Sequence, residues 1–210
     1  MARYRDAVCR ICRREGGQLF LKGQKCFGPK CTVQKKSYPP GQGGEQRAQR
    51  RRPTDYGLQL REKQKMRAIY GLLERQFRAY VNAALRAGGV TGEVLMQLLE
   101  RRLDNVVYRA GFGVSRAAAR QLVTHGHFTV NNKPVDIASY QLRAGDVVRV
   151  KESDRPTAPF RDLKSAGGRP VPEWVTVEYE NYAATVNAIP TREQIDTLVD
   201  EQQVVEFYSR

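Results

Sequence analysis

A chain of 210 residues with a net charge of +14 is long enough for one or two domains, and its cationic excess favours an anionic partner. It contains no run of about 18 apolar residues that could form a transmembrane helix. Its first residues also lack the apolar region of a signal peptide. We therefore expect neither membrane insertion nor secretion.

The charge is unevenly distributed along the chain. Residues 1–86 contain 21 basic and six acidic residues, whereas residues 151–210 contain seven basic and 11 acidic residues. The basic part suits a nucleic acid, because cations that neutralise phosphates release bound counterions. The acidic part suits contact with a protein. A membrane-surface protein would need a long amphipathic helix with bulky apolar anchors, which the sequence does not show.

All four cysteines lie within the first 31 residues, as the two close pairs Cys9–Cys12 and Cys26–Cys31. Two such pairs can bring four thiolates to one metal ion, and a reducing compartment favours this over two disulfides. Zinc is the default ion, although four thiolates can also hold an iron–sulfur cluster. Residues 1–56 are rich in glycine and proline and cannot bury a core by themselves, so a bound metal would stabilise their fold.

Basic side chains are interspersed with the cysteines and continue in an arginine run that Pro53 ends. Next to a metal module in a basic chain, such a run is predicted to be an arm that contacts phosphates. The candidate nucleic-acid-binding residues of this part are Arg3, Arg5, Arg10, Arg13, Arg14, Lys22, Lys25, Lys30, Lys35, Lys36, Arg47, Arg50, Arg51 and Arg52.

Two helices are predicted between residues 58 and 87. The first contains Met66 and Ile69 and ends at Gly71, which suits a left-handed cap, and the second carries Phe77, Val81 and Leu85 on one face. We expect the aromatic side chains here to lie in a core and not to stack on bases. The polar face of the first helix adds the candidate nucleic-acid-binding residues Arg61, Lys63, Lys65 and Arg67.

Residues 93–150 are predicted to form helices followed by a small antiparallel sheet. Helical segments are expected over 93–101 and 103–110, and a third one, capped by Ser115, ends at Gly126 and presents Arg116 and Arg120. Strands are then expected over 128–130, 133–137 and 147–150, the first two joined by a turn at Asn131-Asn132. This pattern predicts an α+β fold.

The C-terminal part begins with a stretch rich in proline and glycine. It leads to an alternating segment from Trp174 to Tyr179, which is typical of a strand. The last residues, 204–210, are too apolar for a loose tail, and we expect them to pack back onto the body around residues 56–80.

The sequence does not indicate an enzyme or a small-molecule substrate. It contains neither a phosphate-binding P-loop nor a dinucleotide-binding glycine motif. His125 and His127 are spaced i, i+2, which favours packing or phosphate contact over metal binding, and Asp104 beside Arg102 is expected to form an ion pair. A zinc-dependent DNA-binding regulator is disfavoured, since no recognition helix follows Cys31 and no dimerisation zipper is visible.

Several blocks of this sequence resemble the S4 family of bacterial small-subunit ribosomal proteins. The residues over 101–109, 115–127 and 130–135 resemble the RNA-binding module named after that family. The resemblance extends to both ends, through the segments at 9–16, 21–23, 38–42, 55–56, 60–65, 74–77 and 206–210. Two parts depart from it: Gly43 stands where many relatives have histidine, and residues 155–187 match only loosely.

The resemblance implies a structural constituent of the small ribosomal subunit, located in the cytoplasm. It would bind the 5′ domain of 16S rRNA early in assembly, with His125 among its RNA contacts, and contribute to translational accuracy. It would lie near ribosomal proteins five, three and twelve and near the channel through which messenger RNA enters. The same module also occurs in pseudouridine synthases and tyrosyl-tRNA synthetases, so the alternative is an RNA-binding or RNA-modification factor acting on rRNA or tRNA.

Together these observations predict three parts. A metal-pinned N-terminal module would occupy residues 1–45, and a basic helical domain would occupy residues 46–92 and be joined by residues 196–210. An S4-type RNA-binding domain of helices packed on the small sheet, with a loop-rich extension, would occupy residues 93–195.

Overall fold

The computed structural model describes residues 4–42, 54–161 and 170–209. The chain divides into two compact units, one of residues 1–95 and 198–210 and the other of residues 96–197. Within the described residues, no helix combines the length and the apolar character needed to cross a membrane.

The N-terminal part of the first unit is built from short elements. They are α1 (Cys9–Glu15), a 3-10 turn (Gly23–Cys26) and α2 (Thr32–Lys35). Helix α1 ends at Gly16, whose φ of 70° is the left-handed conformation that glycine adopts without strain. Leu19 and three of the four cysteines are buried here. The glycine- and proline-rich sequence of residues 1–56 did not indicate these helices, which are too brief to show a helical period.

Two longer helices follow in the same unit. Helix α3 (Asp55–Ile69) begins at Thr54, whose Oγ1 accepts a hydrogen bond from the Gly57 amide at 3.2 Å. Helix α4 (Glu74–Arg86) buries Phe77, Val81 and Ala84 along one face. Both predicted helices are confirmed, as is the core position of Phe77, although α3 begins three residues earlier than the apolar pattern indicated.

The C-terminal helix α9 (Glu201–Ser209) packs on α3 in the first unit. Val204 is fully buried, the Phe207 ring lies 5.5 Å from that of Tyr56, and the Tyr208 ring lies 6.2 Å from that of Phe77. The prediction that the C-terminal segment packs back onto residues 56–80 is thus confirmed.

Helices α5 (Thr91–Glu100), α6 (Leu103–Arg109) and α7 (Arg116–Thr124) come next along the chain. Ser115 caps α7 as predicted, because its Oγ accepts a hydrogen bond from the Ala118 amide at 3.2 Å. A short helix α8 (Ala158–Arg161) lies later in the second unit.

The described part of the second unit contains a five-stranded antiparallel sheet in the order β2-β1-β3-β5-β4. Its strands are β1 (Phe128–Val130), β2 (Lys133–Pro134), β3 (Val147–Val150), β4 (Val175–Glu178) and β5 (Ala183–Val186). The Asn131 and Asn132 φ angles of 48° and 65° confirm the predicted turn. Strand β2 is shorter than predicted and lies at the sheet edge, where Pro134 removes no inner ladder hydrogen bond.

The core of the second unit lies between the sheet and α6 and α7. Leu103, Leu142, Phe128, Phe160 and Trp174 are among its largest buried side chains. The α+β prediction is confirmed as a combination of helices with a small antiparallel sheet.

Candidate nucleic-acid interface

We use the term cysteine knuckle for residues 4–42. Cys9 and Cys12 lie three residues apart on α1, Cys26 ends the 3-10 turn, and Cys31 immediately precedes α2. Cys12, Cys26 and Cys31 are buried, whereas Cys9 is partly exposed. The Lys22 amide lies 3.4 Å from the Cys26 sulfur and donates a hydrogen bond to it. Three of the four cysteine side chains are therefore buried within the knuckle.

The four thiols influence one another electrostatically. Burial raises the pKa of the Cys12 thiol, and the neighbouring thiols of Cys26, Cys9 and Cys31 raise it further. Nevertheless, no group of three or more His, Cys, Asp or Glu side chains in residues 4–42, 54–161 and 170–209 converges as a metal site. The metal-pinned geometry expected from the cysteine spacing is thus not formed in this structure, and metal binding stays a prediction.

The knuckle presents a cationic surface. Residues 16–42 contain no Asp or Glu, so no carboxylate of this segment can neutralise the lysines. None of the exposed cations of the knuckle forms an ion pair within the described residues. These exposed cations are Arg5, Arg10, Arg14, Lys22, Lys25, Lys30, Lys35 and Lys36.

Arg13 differs from these exposed cations. Its Nε donates to the Tyr38 carbonyl at 2.9 Å, one of its Nη atoms donates to the Pro39 carbonyl at 3.2 Å, and its guanidinium lies 4.8 Å from the Tyr38 ring. The side chain therefore closes the knuckle onto the segment that follows α2. A contact between Arg13 and phosphate would have to coexist with these bonds.

The cations predicted on α3 are all paired with carboxylates. Arg61 lies 3.2 Å from Glu15, and Lys65 lies 3.2 Å from Glu62. Burial raises the pKa of Glu15 despite the opposing effect of Arg61. The half-buried Arg61 and Lys65 keep part of their surface in solvent, so a phosphate can approach them.

Lys63 and Arg67 share the carboxylate of Glu74, at 3.0 and 3.2 Å. Lys63 is only 5% exposed, and its Nζ lies 4.7 Å from the centre of the Phe207 ring. It therefore joins α3 to α4 and α9 and does not face a ligand, in contrast to the expectation from its position among basic residues.

A buried polar cluster connects α5 to α6. The fully buried Glu100 accepts two hydrogen bonds from the Arg109 guanidinium, at 3.0 and 2.8 Å, and one from the Asn105 amide at 2.7 Å. Asp196 lies 2.6 Å from Arg109 on its other side. Burial opposes the charge of Arg109, but the attraction of Glu100 outweighs it and raises the guanidinium pKa.

A second ion pair lies at the start of α6. Arg102 donates two hydrogen bonds to Asp104, at 3.0 and 2.7 Å, which confirms the predicted ion pair. Arg120 approaches the same carboxylate at 3.8 Å and is 5% exposed. Arg120 therefore supports the packing of α7 on α6, and its burial is at odds with the expectation of an RNA contact.

Arg116 is half-buried on the first turn of α7. Its Nε donates to the Asn105 side-chain oxygen at 2.9 Å, and its guanidinium lies 4.5 Å from the centre of the Tyr108 ring. One planar face is covered by the ring, and the remaining N–H groups keep a fixed orientation. A guanidinium held in this way is suited to bidentate contact with a phosphate.

The two histidines have different surroundings. His125 is exposed at the end of α7, where it can contact RNA. The Nδ1 atom of His127 lies 2.8 Å from an oxygen of Asp154, and the hydrogen bond between them lowers the pKa of Asp154. His127 is therefore a packing residue, as its spacing from His125 indicated.

Some of the predicted contacts fall outside the residues that the structure describes. They are Arg3, Arg47, Arg50, Arg51 and Arg52.

Three arginines on α4 were not among the candidates. Arg75, Arg78 and Arg86 are exposed, and Arg75 and Arg86 lie on the side of α4 opposite the buried Phe77 and Val81. The 3.6-residue period of the apolar residues could have identified this cationic face, but the prediction used only the denser run of charge on α3.

Comparison with known proteins gives matches along the whole chain. The family described as ribosomal protein S4/S9 N-terminal domain matches residues 3–100, and the S4 domain matches residues 101–148. The chain is 57% identical to the small ribosomal subunit protein uS4A of Symbiobacterium thermophilum and 54% identical to uS4 of Syntrophomonas wolfei. It is 52% identical to uS4 of Citrifermentans bemidjiense. Each alignment covers 100% of both chains.

Proposed function

This chain belongs to the small ribosomal subunit protein uS4 family, and from this premise we propose that it is a non-catalytic constituent of the small ribosomal subunit. In the cytoplasm it would bind the 5′ domain of 16S rRNA directly and early in assembly. The observation that carries the RNA-binding part is the cationic surface of the cysteine knuckle. Its eight exposed Lys and Arg side chains form no ion pair within the described residues, and residues 16–42 contain no carboxylate.

The solvent exposure of each candidate side chain determines its part in the proposed contact surface. The eight exposed cations of the knuckle provide most of the phosphate binding, because none of them forms an ion pair within residues 4–42, 54–161 and 170–209. Arg61, Lys65, Arg67, Arg116 and His125 contribute through the part of each side chain that remains accessible. Lys63 and Arg120 position helices and are not included. Contacts by Arg3 and by the arginine run at 47–52 stay a prediction.

RNA would be recognised mainly by shape and phosphate geometry. The deep, narrow major groove of A-form RNA excludes side chains, so a surface of cations reads the backbone more readily than the bases. The fixed guanidinium of Arg116 above Tyr108 supports this mode of binding, since it presents its N–H groups in one orientation.

We also propose that the four cysteines bind one zinc ion. The burial of Cys12, Cys26 and Cys31 and the mutual influence of the four thiols support this, because a divalent cation would offset the repulsion between neighbouring thiolates. The amide of Lys22 would help to hold the Cys26 sulfur. A bound metal would supply folding free energy to a segment that has few other buried side chains.

Metal content tests the zinc proposal directly. Protein purified under reducing conditions should contain one zinc per chain, and Cys12→Ser should lose it, whereas the control Ser37→Ala should keep it. Detection of iron with bound sulfide would show that the cysteines hold an iron–sulfur cluster and not zinc. The absence of any stoichiometric metal would refute the proposal.

Protein partners are proposed from the family resemblance. They are ribosomal proteins five, three and twelve, with messenger RNA passing nearby, and contact with protein five would connect this chain to translational accuracy. The excess of acidic residues over 151–210 supports a protein-facing surface, because it contrasts with the cationic knuckle.

The RNA-binding proposal is tested by salt dependence. Affinity for a transcript of the 16S rRNA 5′ domain should fall steeply with salt, and replacing Lys30, Lys35 and Lys36 by Gln should reduce the logarithmic slope by about 2. Arg161→Gln, which removes an exposed charge from the acidic part of the chain, is the control and should leave the slope unchanged. An unchanged slope in the triple variant would show that the knuckle does not contact phosphates.

Membership of the subunit is tested separately. The chain should co-sediment with small subunits through a high-salt wash and should prefer the rRNA fragment over duplex DNA in competition. Loss of the chain in the wash, together with equal binding to DNA, would contradict the proposed function.

A further inference from the structure

Two phenylalanines of the cysteine knuckle stack on each other at the protein surface. The centres of the Phe20 and Phe27 rings are 4.9 Å apart, and the ring planes are inclined by 25°. Phe20 is 38% exposed and Phe27 is 63% exposed, so the outer ring keeps a free face. Their exposure contrasts with the burial of Phe77, Phe112, Phe128 and Phe160. We use the term phenylalanine pair for Phe20 and Phe27.

The backbone restricts the positions of both rings. Each ring follows directly on a buried residue, Phe20 on Leu19 and Phe27 on Cys26. The Phe20 φ of 52° is a left-handed conformation that a bulky side chain rarely adopts, and it indicates that the surrounding fold imposes this orientation. The Phe27 amide donates to the Gln24 carbonyl at 3.1 Å, which fixes the other end of the loop. The phenylalanine pair is therefore a preformed surface.

The charges around the phenylalanine pair identify its partner. Lys22, Lys25 and Lys30 are exposed on the same short loop, and no carboxylate occurs between residues 16 and 42. Exposed aromatic rings among unpaired cations suit single-stranded nucleic acid, whose bases stack while its phosphates bind the cations. An apolar protein partner would gain nothing from three exposed lysines beside the contact.

We propose that the phenylalanine pair is a stacking platform for one unpaired base of the bound RNA. The base lies on the free face of Phe27 and extends the stack to three rings, and the lysines bind its flanking phosphates. The stacking platform rests on the proposed RNA-binding function and adds base stacking to the phosphate contacts. The phosphate contacts depend on salt and exist for any RNA backbone, whereas the platform requires a base that is not paired in a helix.

The test distinguishes base stacking on Phe27 from phosphate binding by the lysines. Phe27→Ala should weaken binding of the 16S rRNA 5′-domain transcript by ~5- to 100-fold without changing the slope of affinity against salt, because no phosphate contact is lost. Phe27→Tyr should restore most of the affinity. Lys25→Gln is the matched control from the same loop and should reduce the slope. Circular dichroism and metal content check that each variant is folded.

A fluorescence measurement gives an independent result. The native Trp174 is 2% exposed and lies in the other unit, so Phe27→Trp adds a tryptophan whose emission can be read by difference. RNA should quench this emission, whereas Ile189→Trp, at an exposed position of the other unit, should be quenched much less. Wild-type affinity in Phe27→Ala, or no quenching in Phe27→Trp, would overturn the platform alone. Failure of the wild-type protein to bind the transcript would overturn the proposed function and the platform with it.

Discussion

The Tyr208 hydroxyl donates a hydrogen bond of 2.6 Å to the Glu74 carboxylate, across 134 positions of sequence. The same carboxylate accepts hydrogen bonds from Lys63 and Arg67. One acidic side chain at the start of α4 therefore joins α3, α4 and α9. The contact explains why the C-terminal segment is ordered, because α9 has only nine residues and is too short to be stable as an isolated helix.

Removing the Tyr208 hydroxyl should destabilise the first unit. Tyr208→Phe keeps the ring beside Phe77 but loses the hydrogen bond, so the free energy of unfolding should decrease by about 1 kcal/mol. Tyr140→Phe, which alters an exposed tyrosine of the other unit, is the control and should change it by less than about 0.5 kcal/mol. Chemical denaturation measures both changes, and equal stability of the two variants would contradict this role for Tyr208.

The Tyr208–Glu74 pair should make the unfolding free energy depend on pH in both the acid and the alkaline range. Burial raises the pKa of Tyr208 and the neighbouring Glu74 raises it further, so its contribution is present below pH 10.0 and is lost as the pH rises above that value. Burial alone would raise the pKa of Glu74, but hydrogen bonds from Tyr208 and Lys63 lower it below 4.5. Its contribution is therefore present above pH 4.5 and is lost as the pH falls through the lowered pKa.

Two variants distinguish the loss of stability at acid pH from the loss at alkaline pH. Glu74→Gln should flatten the acid decline of the unfolding free energy, and Tyr208→Phe should flatten the alkaline decline. Tyr179, whose pKa is raised by burial in the other unit, remains in both variants and leaves a residual alkaline slope. Profiles parallel to wild type in both variants would rule out the pair as a source of the pH dependence.

The buried carboxylate of Glu100 should be the most sensitive charge in the second unit. Glu100→Gln leaves Arg109 without its main counter-charge in a buried site, which should lower the unfolding free energy by about 3–5 kcal/mol. Glu93→Gln, at an exposed position of the same helix, should cost less than about 0.5 kcal/mol. Thermal unfolding followed by circular dichroism distinguishes the two. A small effect of Glu100→Gln would show that Asp196 alone can balance Arg109.

Local sequence patterns predicted much of the fold. The apolar period located α3 and α4, Ser115 marked the start of α7, and Asn131-Asn132 marked the turn between β1 and β2. Strand β5 was missed, because its small residues Ala183 and Ala184 show no clear alternation. The division of the chain at residues 45, 92 and 195 stays a prediction.

The charge pattern of the sequence was less informative about which basic side chains of the candidate interface are exposed. Lys63 and Arg120 stand in basic stretches of sequence, yet both are buried against carboxylates, Lys63 with Glu74 and Arg120 with Asp104. Their partners lie 11 and 16 positions away, beyond the range at which a helix pattern pairs residues. Exposure could be inferred for the knuckle lysines only because no carboxylate occurs over residues 16–42.

Loss of the C-terminal helix should affect folding before it affects RNA contacts. Deleting residues 201–210 removes the fully buried Val204 and the ring contacts of Phe207 and Tyr208 with Tyr56 and Phe77. By analogy with the truncation of large buried side chains, the unfolding free energy of the first unit should decrease by at least ~3 kcal/mol. At a temperature where the truncated protein remains folded, its RNA affinity and salt slope should match those of wild type, since the deleted residues include no knuckle cation.

Affinity should then fall only as the truncated protein unfolds on heating. Binding of the 5′-domain transcript measured alongside circular dichroism, over a range of temperatures, tests this. The control is Gln202→Ala, which changes an exposed side chain of α9 and should preserve both the melting temperature and the affinity. A truncated protein that is fully folded but binds RNA weakly would show that α9 itself forms part of the RNA-binding surface.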